Sequence, residues 1–147
     1  MTISETGKSA FTLLELLFVI IIIGILVGVS FPGLKRNFDR MQLDNFSREL
    51  QSSMNYLSQR SQAEGKVIRL YIDVGNSVCW AGFDGSASRI KNIPIPQDIT
   101  VEVSKDQVRF YPDSRIEAVT VKLSNPQGQS VSLTSEGVLG RVKIDNQ

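Results

Sequence analysis

The sequence predicts an α+β fold in which one long N-terminal helix packs on an antiparallel β-sheet. Two observations support this prediction. A continuous apolar run over residues 11–31 passes directly into a pattern with apolar residues at helical spacing, which continues to about residue 63. After Lys66, short stretches rich in β-branched and aromatic residues are separated by turn-forming residues, as is typical of strands.

Composition argues against an enzyme. The chain has 147 residues, enough for one domain plus a membrane segment, and contains no His, the commonest general base and metal ligand. Its single cysteine, Cys79, lies in an apolar run beside Trp80 and is expected to be a buried hydrophobic side chain. No catalytic Ser/His/Asp set, phosphate-binding loop, paired catalytic carboxylates or metal-ligand cluster is evident. We therefore expect no catalytic residue, no cofactor and no metal.

The balance of charge bears on the partners. Lys and Arg together number 16, against 15 for Asp and Glu, so the net charge is close to zero. A protein whose main work is to coat nucleic acid or anionic lipid normally carries a clear positive excess. Nucleic acid is therefore not expected as the main partner, although a local basic patch stays compatible with this composition.

The apolar run from Phe11 to Phe31 is long enough to cross a bilayer as a helix. A cleaved secretory signal needs a shorter apolar core followed by a small-x-small site, which the residues after Phe31 do not supply. A buried helix of a soluble domain is the other alternative, but such a long unbroken run is rare in a chain of this size. We predict a membrane helix over residues 11–34.

Glu15 is the one charged residue within this run. A carboxylate at mid-bilayer costs about 3 kcal/mol, and less near the helix end, so it normally has a partner. One interpretation is that Glu15 simply reaches the headgroup layer. The other is that it pairs with a cation from another chain, because no Lys or Arg lies between Phe11 and Leu34.

The segment Lys8-Ser9-Ala10-Phe11-Thr12-Leu13-Leu14-Glu15 resembles the processing signal of type IV pilins and type II secretion pseudopilins. The resemblance implies that residues 1–10 are a leader, which prepilin peptidase removes by cutting between Ala10 and Phe11. It also implies that Phe11 is then N-methylated, and that its new α-amino group is the candidate partner of Glu15. Ala10 departs from the family, which usually has Gly before the cut.

The same resemblance assigns assembly roles to three further residues. Gly24 and Pro32 fall where the family has a glycine and a helix-bending proline. Gly24 and Gly28 have the spacing that allows helices to approach closely, while glycine and proline both weaken a helix. We expect the stretch between Gly24 and Pro32 to be the least stable part of the helix, although these glycines are also compatible with an ordinary membrane helix.

The family places the N-terminus in the cytoplasm and the head in the periplasm, on a single-pass inner-membrane protein that assembles into a filament. Its implied partners are other pilin-like subunits, the prepilin peptidase and the inner-membrane assembly platform. The flanking charges favour the opposite orientation, because Lys8 stands on one side and Lys35, Arg36 and Arg40 on the other.

Residues 35–65 are predicted to form an amphipathic continuation of the helix. Its expected apolar stripe is Leu34, Phe38, Met41, Phe46, Leu50, Met54 and Leu57. Gly65 is expected to end the helix, because glycine readily adopts the left-handed conformation of that position. The stripe needs a surface to pack on, which the β-rich remainder of the chain supplies.

Residues 66–147 are predicted to form the β-rich head. The predicted strands are 67–73, 77–83, 99–103, 108–111, 119–123, 130–134 and 138–144. Turns are expected at Gly75-Asn76 and at 125–128, and the proline-containing segment 92–96 is expected to connect two strands at a sheet edge. Together with the helix, this arrangement is the pilin fold.

The C-terminal half is similar to the heads of GspH/FimT-type minor pseudopilins and minor pilins, through residues 110–113 and 135–142. This implies a minor pseudopilin of a type II secretion system. The alternative is a FimT-like minor type IV pilin that contributes to DNA uptake or pilus assembly. Gly140-Arg141-Val142-Lys143 resembles the basic motif of such pilins, with Arg141 and Lys143 on one face of the last strand. An ordinary solvated strand is the simpler explanation of this pair.

Overall fold

The computed structural model describes residues 11–135 and 142–146, and it describes no side chains for residues 29–34 and 146. The chain divides into two compact units, residues 1–36 and residues 37–147. Helix α1, Leu13–Glu64, contributes to both. The first unit consists, in its described part, of the apolar beginning of this helix, whereas the second contains the rest of the helix and all strands.

The helix ends where the sequence predicts. Gly65 follows Glu64 with a φ of 63°, and the amide of Lys66 donates to the carbonyl of Ser61. Glycine adopts this left-handed conformation without the steric cost that a Cβ would add. The Ser61 hydroxyl is buried 2.6 Å from the Lys66 carbonyl oxygen and 2.9 Å from that of Phe110, and its single proton can be donated to one of them at a time.

The described part of the second unit contains eight strands in two antiparallel sheets. The strands are β1 (Ile68–Asp73), β2 (Val78–Phe83), β3 (Arg89–Pro94), β4 (Thr100–Val103), β5 (Gln107–Phe110), β6 (Val119–Ser124), β7 (Ser130–Ser135) and β8 (Val142–Asn146). Sheet A has the order β3-β2-β1-β5, and sheet B has the order β4-β6-β7-β8. Gln51 of the helix donates to the carbonyl of Val142 at 2.8 Å, which fixes the edge strand β8 to α1.

Strict alternation of buried and partly exposed residues builds the core. In β1, Ile68, Leu70 and Ile72 are buried and the residues between them are not. The same period of two continues in β6 and β7, whose buried faces join a core shared with the helix residues Phe46 and Leu57. The predicted packing of a helix on antiparallel strands is confirmed.

The predicted apolar stripe of the helix is buried only from Phe46 onward. Phe46, Leu50, Met54 and Leu57 are buried, together with Leu43, which the prediction omitted. Phe38 and Met41 are 55% and 53% exposed, so their assignment to the buried stripe was wrong. The buried face of the helix begins at Asp39 and Leu43, and Phe38 and Met41 lie beside it. Leu34 is among the residues whose side chains are not described.

One prediction about the strands also needs correction. The segment 92–96 was expected to be a connection, but Arg89–Pro94 forms strand β3 at the edge of sheet A. An edge strand tolerates Pro94 because one side of its backbone needs no hydrogen-bond partner. The predicted last strand, 138–144, overlaps β8 from Val142 onward, and its first residues lie outside the described residues. Both predicted turns are present, and Gly128 in the second has a φ of 81°.

Candidate assembly segment at the N-terminus

The beginning of α1 is capped by Thr12. The amide of Glu15 donates to Thr12 Oγ1 at 3.2 Å, and the amide of Leu16 donates to the Thr12 carbonyl oxygen at 3.2 Å. Thr12 is therefore the N-cap residue, and Glu15 is the third residue of the helix. The spacing Thr-x-x-Glu is that of a capping box, a signal in the sequence that identifies the helix start and that the prediction missed.

Glu15 is exposed in the first turn of α1, where a negative charge interacts favourably with the helix dipole. Within the described residues, its carboxylate takes part in no ion pair and no side-chain hydrogen bond. The carboxylate has a local role at the helix start and keeps its oxygens accessible to a partner.

Apolar side chains cover the described part of the first unit. Phe11 is 74% exposed and Leu13 is 86% exposed. A further twelve exposed apolar side chains follow, namely Leu14, Leu16, Leu17, Phe18, Val19, Ile20, Ile21, Ile22, Ile23, Ile25, Leu26 and Val27. Contiguous exposed apolar surface of this extent marks a site that contacts protein or lipid.

The helix continues without interruption through Gly24, Gly28 and Pro32. A Cβ at Gly24 or Gly28 would meet no heavy atom within 4 Å beyond the backbone of its own helix, so neither glycine is needed for packing within this chain. Proline has no amide proton, so the carbonyl of Gly28 lacks its usual donor from Pro32. The helix is thus weakened at this point without being broken.

Among the residues whose side chains the structure describes, no helix is both long and apolar enough to traverse a membrane.

Of the other predicted site residues, the structure describes Lys143, which is exposed on β8 opposite Thr134, while Ala10 and Arg141 are outside the described residues. Asp73 accepts hydrogen bonds from the amide and the side chain of Asn76, which lower the pKa of its carboxyl group and hold the β1–β2 turn.

Two further aspartates at strand ends also have protein partners. Asp84 pairs with Arg69 at 2.6 Å, and Asp113 pairs with Arg115 at 2.6 Å. The hydrogen bond that Arg69 donates to the carboxylate of Asp84 raises the pKa of the Arg69 guanidinium. These carboxylates therefore stabilise turns and the surface of the sheet.

The described chain can now be compared with known proteins. Residues 6–31 match the family model of the prokaryotic N-terminal methylation motif. A search of curated proteins finds no significant match to the sequence.

Two solved structures resemble the fold. The type IV minor pilin FimU of Pseudomonas aeruginosa matches with a TM-score of 0.58 and 15% identity, over 72% of this chain and 90% of that chain. The minor pseudopilin EpsH of the Vibrio cholerae type 2 secretion system matches with a TM-score of 0.56 and 8% identity, over 72% and 96%. The chain therefore combines a prokaryotic N-terminal methylation motif with the fold of these pilin and pseudopilin structures.

The apolar beginning of α1, which Thr12 caps, lies within the residues that the methylation motif covers. Both structural neighbours are minor subunits, one from a pilus and one from a secretion system, so the likeness alone favours neither.

Proposed function

We propose that this protein is a minor pseudopilin, similar to GspH, in the periplasmic filament of a type II secretion system. The observation that carries the proposal is the exposed apolar helix that begins at Phe11 with an accessible carboxylate in its first turn. Such a surface is stable only when lipid or other helices cover it, and a filament subunit exchanges the first environment for the second.

In this proposal the chain is cut between Ala10 and Phe11, and Phe11 is N-methylated. The protein is first a single-pass inner-membrane protein with its head in the periplasm, and the membrane span over residues 11–34 stays a prediction. Assembly then uses the prepilin peptidase, the inner-membrane platform and neighbouring subunits. The carboxylate of Glu15 pairs with the α-amino group of Phe11 in a neighbouring subunit.

The weak stretch of α1 serves the transfer from membrane to filament. Gly24 and Gly28 allow neighbouring helices to approach closely, since their positions are open. Pro32 leaves one carbonyl of the helix without its donor, so the helix can bend there at lower cost than elsewhere.

Two substitutions of Glu15 test the charge pairing. Gln suits the third helix position nearly as well as Glu, so Glu15→Gln keeps the capped helix start and removes only the charge. Glu15→Leu removes both. We expect both variants to be processed and membrane-resident but absent from filaments sheared from cells that express the complete secretion system. Normal incorporation of Glu15→Gln would exclude the charge pair and leave only a local role for Glu15.

The alternative is a FimT-like minor pilin that binds DNA through Arg141 and Lys143. Lys143 is exposed on the edge strand β8, which favours contact with a large partner. Full-length protein in detergent would be tested for retention of double-stranded DNA. The alternative requires that Arg141→Ala combined with Lys143→Ala abolishes retention while Lys122→Ala, a matched change of an exposed strand lysine, leaves it unchanged.

A further inference from the structure

Tyr71 of β1 and Trp80 of β2 form a stacked pair on the face of sheet A that points away from the core. They are direct cross-strand partners, and their ring centroids are 4.1 Å apart with an interplanar angle of 17°. Their strand neighbours Leu70, Cys79 and Ala81 are buried, so the two aromatic side chains point to the opposite face. Both rings are only half-buried, which leaves aromatic surface exposed to solvent.

A cavity of about 490 Å³ opens beside this pair. It is an open depression, and the residues that line it include Tyr71, Trp80, Val74, Asp73 and Asp106. We call it the aromatic–acidic cavity.

The charges that line the cavity are all negative. Asp73 has both carboxylate oxygens engaged by Asn76, and this keeps its pKa low and its charge in place. Asp106 is exposed, and its carboxylate receives no hydrogen bond from the described residues, while its carbonyl is fixed by the amide of Ile72. No Lys or Arg is among the lining residues. The lining therefore contains two acidic residues. Asp73 is engaged by Asn76 and interacts with the nearby charge of Arg89, whereas the carboxylate of Asp106 can accept a donor.

The aromatic pair already contacts one cation of this chain. The guanidinium carbon of Arg89 lies 4.9 Å from the centroid of the Trp80 ring. A positive charge over an aromatic face is attracted by the negative potential of that face. Tyr71 from β1 and Arg89 from β3 flank the Trp80 ring, so the aromatic surface open to an incoming cation is the outer part of the Tyr71 ring, which lines the cavity together with Asp106.

We infer that the aromatic–acidic cavity binds an arginine or lysine side chain of a partner protein. The alkyl stem of that side chain would lie against Val74 and the Tyr71 ring, and its charged head would reach Asp106. Nucleic acid is disfavoured at this site because two carboxylates repel phosphate, and a neutral sugar would leave the charge of Asp106 unused. The inference goes beyond the proposed function and does not depend on which filament the protein serves.

Trp80 is the only tryptophan of the chain, so its fluorescence reports directly on the cavity. Full-length protein in detergent micelles would be titrated with acetyl-Ala-Arg-Ala-amide, and with peptides that carry Lys, Gln or Glu in place of Arg. We expect saturable changes with the Arg and Lys peptides, with dissociation constants of about 1–10 mM for so small a ligand, and none with the Gln and Glu peptides.

Two aspartate variants form a matched pair. Asp106→Asn keeps the shape and the backbone contact of the residue but removes its charge, and we expect about fivefold weaker binding, the effect of one exposed ion pair. Asp98→Asn, an exposed change outside the cavity lining, is expected to leave binding unchanged. Glu15→Leu should also bind the Arg peptide normally. The test of the cavity is therefore independent of the test of the proposed assembly role of Glu15.

Three results would overturn the inference. The first is an equal response to the Arg and Gln peptides, or no saturable response to Arg up to about 100 mM. The second is unchanged binding by Asp106→Asn whose circular dichroism matches the parent protein. The third is preferential binding of an oligodeoxythymidine or of a neutral oligosaccharide, which would assign the aromatic surface to a different ligand.

Discussion

Arg89 and Lys91 are separated by one residue in β3, yet they lie on opposite faces of sheet A. Arg89 stacks over Trp80, with its guanidinium carbon 4.9 Å from the ring centroid, while the Lys91 ammonium lies 5.4 Å from the centroid of the helix residue Tyr56. In a regular strand, residues two apart share a face. Ala81 pairs with Lys91 and Gly82 pairs with Arg89, so the register shifts between these two pairs. Ile90 is thus the extra residue of a β-bulge, which explains why Arg89 and Lys91 lie on opposite faces.

Gly82 is required at this bulge. A Cβ at this position would lie 2.9 Å from the carbonyl oxygen of Ser88, which belongs to the backbone and cannot rotate away. We expect Gly82→Ala to reduce the free energy of unfolding by about 1–3 kcal/mol through this overlap. Urea denaturation followed by Trp80 fluorescence would measure the change. Gly75→Ala is the matched control, since its Cβ would meet only Asp73 Oδ1 at an ordinary 3.6 Å.

Substitutions in the two halves of the predicted helix stripe should differ in their effect on the stability of the fold. Leu57 is fully buried and Met41 is 53% exposed. We expect Leu57→Ala to cost about 2–5 kcal/mol of unfolding free energy, because it leaves a cavity in the core. Met41→Ala should change stability by no more than about 0.5 kcal/mol. A comparable loss in both variants would contradict the assignment of the buried face.

Glu117 should contribute to stability in a pH-dependent way. The hydrogen bond from Lys105, at 2.7 Å, lowers the pKa of Glu117 from its ordinary 4.5. A lowered carboxyl pKa stabilises the fold above the unfolded pKa, and this contribution disappears as the pH falls through the folded value. Since both side chains are partly exposed, Glu117→Gln should cost on the order of 0.5 kcal/mol at pH 7.

The comparison for Glu117 is made by thermal unfolding at pH 7 and at about pH 3, below the ordinary pKa of a glutamate. The difference in stability between Glu117→Gln and the parent protein should become smaller at the lower pH. Glu49→Gln, an exposed helix position without an ion pair among the described residues, should show no such gap at either pH. A gap that stays constant with pH would mean that packing, rather than charge, is responsible.

Cys79 should be unreactive in the folded protein. Its side chain is buried, and burial raises the pKa of its thiol to about 12. The thiolate, which is the reactive form, is therefore scarce at pH 8. We expect reaction with iodoacetamide to be at least about a hundredfold slower than in denaturant, as measured by mass spectrometry. Rapid labelling of the folded protein would show that β2 opens readily.

Thr12 should control the first turn of α1. Thr12→Val keeps the shape of the side chain but removes the oxygen that accepts from the amide of Glu15, at a cost of about 1 kcal/mol. Hydrogen exchange should then accelerate at the amides of Glu15 and Leu16. Thr12→Ser retains the hydroxyl and should exchange like the parent protein. Equal acceleration in both variants would indicate that the hydroxyl does not hold the helix start.

Much of the fold follows from local patterns in the sequence. The long helix, its end at Gly65 and the turn at Gly128 each depend on a few neighbouring residues, and the structure has all three. Strand β3 was missed because the bulge at Ile90 interrupts the alternation that reveals a strand. The division into two sheets depends on pairings such as β1 with β5, which join segments far apart in the chain and leave no local signal.

The apolar beginning of α1 was largely predictable, because its apolar run and its motif are contiguous in the sequence. The pairing of Tyr71 with Trp80 was not. It depends on the register of two strands and on which faces of those strands are buried, and neither is fixed by the residues themselves. Asp106 is the residue before β5 and lines the same cavity. Only the long-range strand pairing of sheet A brings it there.

The hydrogen bond between Asp39 and Gln127 has a mechanical consequence. Asp39 is the first buried residue of α1 in the second unit, and its carboxylate accepts from the side chain of Gln127 in the β6–β7 turn. A tensile load that enters along the helix from its N-terminal side would be passed to the β6–β7 turn through this hydrogen bond. The turn is therefore one of the points at which a pull on the helix reaches sheet B.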